Sequence, residues 1–124
     1  MKFFINRTTK EIIEVVLGND TAFTSEGSEM VELKANSTDA AGEKHVPVMT
    51  VEGNKVHVVV GSVLHPMTEE HSIQFIALET KQGVQRKALL PTDQPIADFV
   101  LAEGDEVVAA YEYCNLHGLW KVEA

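Results

Sequence analysis

The sequence contains a single cysteine, Cys114, among its 124 residues. One cysteine excludes an intrachain disulfide and any site that needs several thiolates, such as a tetrathiolate iron centre. No apolar run reaches the length of a membrane-spanning helix, and residues 1–7 are too short and too quickly polar for a signal peptide. These absences predict a cytoplasmic protein with no membrane partner.

Basic residues are also scarce. Ten Lys and Arg residues face 19 Asp and Glu residues, which gives a formal net charge of −9. A scattered basic complement without a stripe excludes a nucleic-acid-binding function. A negative protein also repels small anions at long range, so a site for an anionic substrate would need local positive charge.

Histidine is the residue type that stands out among those present. Four of the five histidines lie in three short segments, 43–45, 65–71 and 113–118, and the last segment also carries Cys114. One thiol and four imidazoles are therefore available to converge on one point. Nitrogen and sulfur donors of this kind suit a transition metal.

The spacing of these residues constrains how they can meet. In an extended strand Cys114 and His117, three positions apart, point to opposite faces, so the backbone must turn between them. Asn115 and Gly118 both tolerate positive φ, which favours such a turn. Pro66 ends the strand that precedes it and leaves a loop that carries His65 and His71.

Short apolar and β-branched runs separated by Gly, Pro, Asn or Asp predict an all-β chain. Residues 1–36 form a small β-rich unit with runs at 3–5, 12–17 and 30–33, and residues 36–42 read as a linker. Seven strands follow, of which the first two form a hairpin around Gly53 and Asn54, and the pattern predicts an antiparallel sandwich. The predicted strands are 46–51, 55–60, 72–80, 84–89, 96–101, 107–114 and 119–122.

Three segments together resemble the superoxide reductase family, which includes desulfoferrodoxin and neelaredoxin. They are Glu43-Lys44-His45-Val46-Pro47, the stretch from Val60 through His65-Pro66-Met67 to His71, and Tyr113-Cys114-Asn115-Leu116-His117-Gly118-Leu119-Trp120-Lys121. The resemblance implies an immunoglobulin-like β-sandwich. It also implies one mononuclear iron with four equatorial histidines, one axial thiolate and an open sixth position, the ligands being His45, His65, His71, His117 and Cys114.

The resemblance further implies the reaction. Ferrous iron would reduce superoxide by one electron to hydrogen peroxide, and an external electron donor such as a rubredoxin-like protein would restore the ferrous state. Lys44 would attract the anion and organise water for protonation. Glu43 would occupy the sixth position of the ferric iron.

In the two-iron members of the family the N-terminal region is a desulforedoxin-like domain with four cysteines. Here Asn6, Thr9, Ser25 and Glu26 stand at the corresponding positions, so this iron cannot bind. We therefore expect a metal-free desulforedoxin-like domain at 1–36, used in packing or in a homodimer. The catalytic domain would span 37–124.

Three other functions fit parts of the pattern. A cupredoxin needs an axial methionine shortly after its cysteine, and none follows Cys114. A cysteine hydrolase would use Cys114 with His117 but leaves three histidines without a role. A metal-binding module without turnover would use the same ligands as the enzyme. His57, in the middle of a strand with an outward position, is excluded from the site, and Met67 is assigned to packing.

Overall fold

In the computed structural model, residues 1–19 and 22–124 are described here. They divide into two compact units, Met1–Lys34 and Ala35–Ala124. Nearly all regular structure is antiparallel β-sheet. Within the described ranges, no helix has the length and apolar character needed to cross a membrane.

The first unit is built around a short central strand. Strand β1 (Phe3–Ile5) pairs with β2 (Ile12–Glu14) on one side and β5 (Val31–Leu33) on the other, and β3 (Thr24–Ser25) with β4 (Ser28–Glu29) forms a separate hairpin. All three residues of β1 are buried. The predicted run at 12–17 is a strand only to Glu14, because the chain turns towards Gly18 and leaves Leu17 95% exposed.

Hydrogen bonds join three of the four positions at which a desulforedoxin-like domain would carry cysteine. Asn6 is buried, and its Oδ1 accepts from the N–H groups of Thr8 and Thr9 at 2.9 and 3.1 Å. Its Nδ2 donates to the carbonyl oxygen of Ser25 at 3.1 Å. The Ser25 hydroxyl in turn donates to Glu11 Oε1 at 2.6 Å. Polar contacts thus join the turn that follows Asn6 to the β3–β4 hairpin at Ser25.

The second unit is an immunoglobulin-like sandwich, which confirms the predicted fold class. Its two antiparallel sheets have the strand orders β10-β7-β6 and β12-β11-β8-β9. Three strands thus face four. The strands are β6 (Pro47–Glu52), β7 (Lys55–Val60), β8 (Ile73–Thr80), β9 (Val84–Ala88), β10 (Ile96–Val100), β11 (Val107–Cys114) and β12 (Gly118–Glu123).

The side-chain pattern of the strands explains this packing. In β7 the valines at 56, 58 and 60 are buried, whereas Lys55 and His57 are exposed. This alternation buries one face of the sheet. Strand β11 lies between β8 and β12 and is buried from Ala109 to Cys114, as expected of a central strand. The β6–β7 hairpin turns at Gly53, with φ of 61°, as predicted.

A short helix, α1 (Gly42–His45), was not predicted. Four residues are too few to be helical on their own, so tertiary contacts must hold them. The Glu43 carbonyl accepts from the N–H of Val63 at 2.9 Å. Gly61 makes the close approach possible, because a Cβ at that position would lie 2.6 Å from the Glu43 carbonyl oxygen.

Side chains of β9 reach the neighbouring strand β10 across the gap between the sheets. Gln85 Nε2 donates to the carbonyl oxygen of Val100 at 2.8 Å, and Lys87 Nζ donates to that of Ile96 at 3.4 Å. The carbonyls of Ile96 and Val100 lie on the side of β10 away from β7. Their outer neighbours, Pro95 and Leu101, bond to Val60 and Asn54 of the β6–β7 hairpin, and successive residues of a strand bond to opposite sides.

Candidate metal centre

Three imidazoles and the thiol lie together at one end of the sandwich. The donor atoms of His45, His65, His71 and Cys114 are all within 4.8 Å of one another. Cys114, His45 and His65 are buried, and His71 is half-buried. The structure therefore brings together four of the five residues predicted to bind metal, and His117 lies beside them as described below.

The strand ends explain this convergence. His45 ends α1, His65 lies in the loop that follows β7, and His71 lies two residues before the start of β8. Cys114 ends β11 and is paired with Ile73 at the start of β8. Antiparallel neighbours place the end of one strand beside the start of the next, so residues distant in sequence meet at the same end of the sheet.

Backbone carbonyls orient two of the rings. The Nδ1 atoms of His45 and His65 lie 2.8 Å from the Ala41 oxygen and 2.7 Å from the Pro66 oxygen. A carbonyl can only accept, so each Nδ1 carries the hydrogen and each Nε2 keeps a lone pair. These lone pairs point into the cluster, and His65 Nε2 is 3.6 Å from Cys114 Sγ. A ring held by its other nitrogen in this way is typical of metal-binding histidine.

His71 supplies an independent observation. Its Nε2 atom is buried and has no hydrogen-bond partner among the residues that the structure describes. Buried polar atoms almost always have a partner, so an unpartnered imidazole nitrogen inside a cluster of donors fits a metal ligand. The residues present therefore fit a bound transition metal.

His117 joins the cluster through Nδ1, whereas His45 and His65 present Nε2. Its Nδ1 lies 3.1 Å from His45 Nε2 and 3.9 Å from Cys114 Sγ. The chain turns between β11 and β12, with Cys114 paired to Gly118, so the predicted reversal is present. Gly118 adopts the positive φ that this turn allows, at 81°, whereas Asn115, which also tolerates it, does not.

Burial sets the electrostatics of the site. It lowers the pKa of His45 and His71 and lowers that of His65 to about 4, so these rings are neutral at pH 7. Burial also raises the pKa of the Cys114 thiol, while the backbone N–H groups of Leu116 and His117 act in the opposite sense. A bound cation favours the thiolate, since it offsets the cost of a buried anion.

The two predicted catalytic residues lie on α1 and are exposed. Burial is the main cause that lowers the pKa of His45 and His71; the positive charge of Lys44 lowers both pKa values slightly further, and the carboxylate of Glu43 acts to raise that of His45. His57 lies on the outer face of β7, where its Nδ1 is 2.5 Å from Asp98 Oδ1, and it is not part of the cluster. Met67 packs against the core, as predicted.

Two residues at the site were not predicted to act there. Trp120 Nε1 donates to the His117 carbonyl oxygen at 3.0 Å, and its ring stacks on His45 with centroids 5.1 Å apart. The side chain of Asn115 bonds to the backbone on both sides of His71. Asn115 lies within the Cys-x-x-His segment and Trp120 three residues after it, which was the available signal, but His45 and the backbone around His71 are distant in sequence.

The fold and the donor set define a class: an immunoglobulin-like sandwich with an imidazole and thiolate cluster at one end. Residues 37–123 match the family model described as desulfoferrodoxin. The chain belongs to the desulfoferrodoxin family.

Several known proteins are similar to this chain. A desulfoferrodoxin of Clostridium acetobutylicum is 39% identical over 123 residues, covering 99% of this chain and 96% of the relative. A superoxide reductase of Pyrococcus abyssi is 36% identical, covering 76% of this chain and 96% of the relative. The crystal structure of the superoxide reductase from Treponema pallidum matches with a TM-score of 0.85 at 37% identity and covers 98% of each chain.

Proposed function

We propose that this protein is a superoxide reductase, which reduces superoxide by one electron to hydrogen peroxide at a mononuclear non-haem iron. The observation that carries the proposal is the convergence of four imidazoles and a thiol in one cluster, of which His45, His65 and Cys114 are buried. The family and the relatives named superoxide reductase support it.

The iron would be held by His45, His65, His71, His117 and Cys114. Bound iron supplies the one-electron couple, and thiolate ligation increases the electron density on it. Five donors exceed the four of a closed structural zinc site, which favours a centre with a reactive position. The protein keeps Cys114 fully buried, so its sulfur is shielded from oxidants in solvent.

Lys44 is the residue that we assign to substrate capture. Superoxide is an anion and the chain carries a net charge of −9, so long-range repulsion must be overcome locally. Lys44 lies on α1 next to His45, its charge contributes to the lowered pKa of His45 and His71, and its exposed position leaves it accessible to an incoming anion. It would also hold water near the reacting oxygen atoms.

The overall reaction consumes one electron and two protons for each superoxide that becomes hydrogen peroxide. The protons would come from water ordered by Lys44, and the electron from an external donor such as a rubredoxin-like protein. Glu43, whose charge acts on His45, is assigned as an exchangeable carboxylate ligand of the oxidised centre.

We assign residues 37–124 to catalysis and residues 1–36 to a desulforedoxin-like domain without metal that serves packing or a homodimer. Position 6, where such a domain would carry cysteine, is a buried, hydrogen-bonded asparagine. We further assign the protein to the cytoplasm, where a reducing environment keeps a lone thiol reduced.

A combined metal and turnover assay tests this function. Iron-loaded protein should contain one iron per chain, and its oxidised form should show a visible thiolate-to-iron band that bleaches on reduction. Superoxide should oxidise a reduced donor protein with formation of hydrogen peroxide and no dioxygen. Zinc content without colour, or dioxygen among the products, would reject a superoxide reductase.

Substitutions at the cluster test the ligand assignment. Cys114→Ser should abolish the visible band and the reductase activity, because a hydroxyl is a far weaker donor than a thiolate. His57→Ala is the matched control among the histidines, since His57 lies on the outer face of β7. It should retain iron and activity, whereas His65→Ala should lose both.

A further inference from the structure

Asn115 forms three hydrogen bonds to the two residues that flank His71. Its Oδ1 accepts from the N–H of Ser72 at 3.0 Å, and its Nδ2 donates to the carbonyl oxygen of Glu70 at 2.9 Å. Its backbone N–H donates to the carbonyl oxygen of Ser72 at 3.2 Å. One residue, next to Cys114 in the chain, therefore binds the backbone on both sides of a candidate ligand.

The loop that carries His71 is otherwise closed on itself. The N–H of Thr68 donates to the His71 carbonyl oxygen at 2.9 Å, and the Thr68 hydroxyl accepts from the N–H of His71 at 3.1 Å. These bonds define the shape of the turn but not its position relative to the thiol. The β8–β11 ladder ends with the pair Cys114 and Ile73, just before the loop is reached.

Beyond the last pair of the ladder, the side-chain amide of Asn115 supplies the hydrogen bonds to the backbone. A primary amide offers one acceptor and two donors, so it can pair with a backbone N–H and a backbone carbonyl as a neighbouring strand would. His71 is also less buried than His45 and His65. Packing therefore restrains it less than those two, and its position depends more on these hydrogen bonds.

We propose that Asn115 is a positioning residue, which holds the His71 imidazole at the distance from the Cys114 sulfur that metal binding requires. The proposal rests on the assignment of these two residues as ligands. Asn115 acts through His71 and does not touch the metal. Its loss should release one imidazole from the cluster and leave the other donors in place.

Affinity for Co²⁺, which takes mixed imidazole and sulfur ligands, provides the first test. Asn115→Ala should weaken Co²⁺ binding by about 10–100-fold, the range found for groups that orient metal ligands. Combined with His71→Ala in a double variant, Asn115→Ala should cause little further loss of binding free energy. Combined with His65→Ala, the two losses of binding free energy should add. Additive losses in both double variants would overturn the proposal.

Hydrogen exchange in the metal-free protein provides the second test and needs no metal. The Ser72 amide donates to Asn115 Oδ1, so Asn115→Ala should accelerate its exchange, whereas Asn115→Asp keeps an acceptor and should retain more protection. Unchanged exchange in Asn115→Ala would overturn the proposal. If the wild-type chain binds neither Co²⁺ nor Fe²⁺, the proposed function fails, and exchange at Ser72 still decides whether Asn115 holds the loop.

Discussion

The Nε2 atom of His45 lies 3.1 Å from the Nδ1 atom of His117, although 72 positions separate the residues in the chain. His45 uses its Nδ1 hydrogen for the Ala41 carbonyl, so Nε2 presents a lone pair to His117. Two ring nitrogens at this distance are bridged by one proton or serve one cation. The position of α1, which carries His45, therefore determines whether the cluster can form.

Gly61→Ala should disturb this position. The added Cβ would lie 2.6 Å from the Glu43 carbonyl oxygen and 3.1 Å from that of Val46, so the backbone on both sides of His45 must move. We expect a loss of about 1–3 kcal/mol in the free energy of unfolding, as for other overpacked sites, together with weaker metal binding. Urea unfolding and iron content measure the two effects.

Gly83→Ala is the control for that substitution. Gly83 has open space around its Cα and no positive φ, so an added methyl group should change stability by less than about 0.5 kcal/mol. Equal stability and equal iron content in the two variants would show that the Gly61 contact does not position α1.

Lys44→Ala should slow the capture of superoxide. Removing the cation that acts on His45 and His71 should lower the second-order rate constant by about tenfold at low salt and weaken its dependence on ionic strength. Pulse radiolysis measures the rate, and iron content should not change. Lys55→Ala, at an exposed position on β7, is the charge-matched control. Equal rates in the two variants would remove Lys44 from substrate capture.

Glu112→Gln should stabilise the protein at neutral and alkaline pH. The Glu112 carboxyl is fully buried, and neither oxygen has a hydrogen-bond partner in the described part of the chain. Burial raises its pKa from 4.5 to about 9, so the folded protein holds a proton that the unfolded chain releases above pH 4.5. The contribution of Glu112 to stability is therefore greatest below pH 4.5 and is lost as the pH rises towards 9.

Thermal unfolding of wild type and variant between pH 5 and pH 9 tests this sign. The difference in stability between the two proteins should grow with pH, because glutamine has no proton to lose. Other groups titrate in both proteins, so their effects cancel in this difference. Glu103→Gln, at an exposed carboxylate, should show no such trend. A constant difference across the range would mean that Glu112 is ionised in the folded state or that its pKa is ordinary.

Asn6→Ala should destabilise the unit formed by residues 1–34. The substitution removes the acceptor for Thr8 and Thr9 and the donor to Ser25, and it truncates a side chain that is itself buried. The expected cost is about 1–3 kcal/mol. Faster hydrogen exchange at the Thr8 and Thr9 amides would report it. Asn6→Asp keeps the acceptor and should protect these two amides, so equal exchange in both variants would contradict this role for Oδ1.

Much of the sandwich could be predicted because its strands carry the required pattern. The alternation of β7 marks its buried face, and the hairpin residues before it mark its start. Helix α1 could not be predicted, since four residues have no helical pattern and depend on the space left by Gly61. The β3–β4 hairpin was missed because its two-residue strands contain no apolar run.

The donor residues could be named from the sequence, but their mutual geometry could not. Histidine and cysteine can be recognised as metal donors by residue type, whereas the hydrogen bonds that orient the histidine rings go to backbone atoms. The carbonyls of Ala41 and Pro66 carry no signal in the sequence, because every residue has a carbonyl. For the same reason Asn115 suggested only turn conformation, and its bonds around His71 emerged from the folded chain.

The side chains of Gln85 and Lys87 have a consequence for behaviour at high concentration. An outer strand with free carbonyls is a template on which another polypeptide can add, and this is a common start of aggregation. Here the carbonyls of Val100 and Ile96 already accept hydrogen bonds from within the same chain. Two polar side chains thus occupy backbone acceptors at the edge of β10 on which a strand of another chain could otherwise pair.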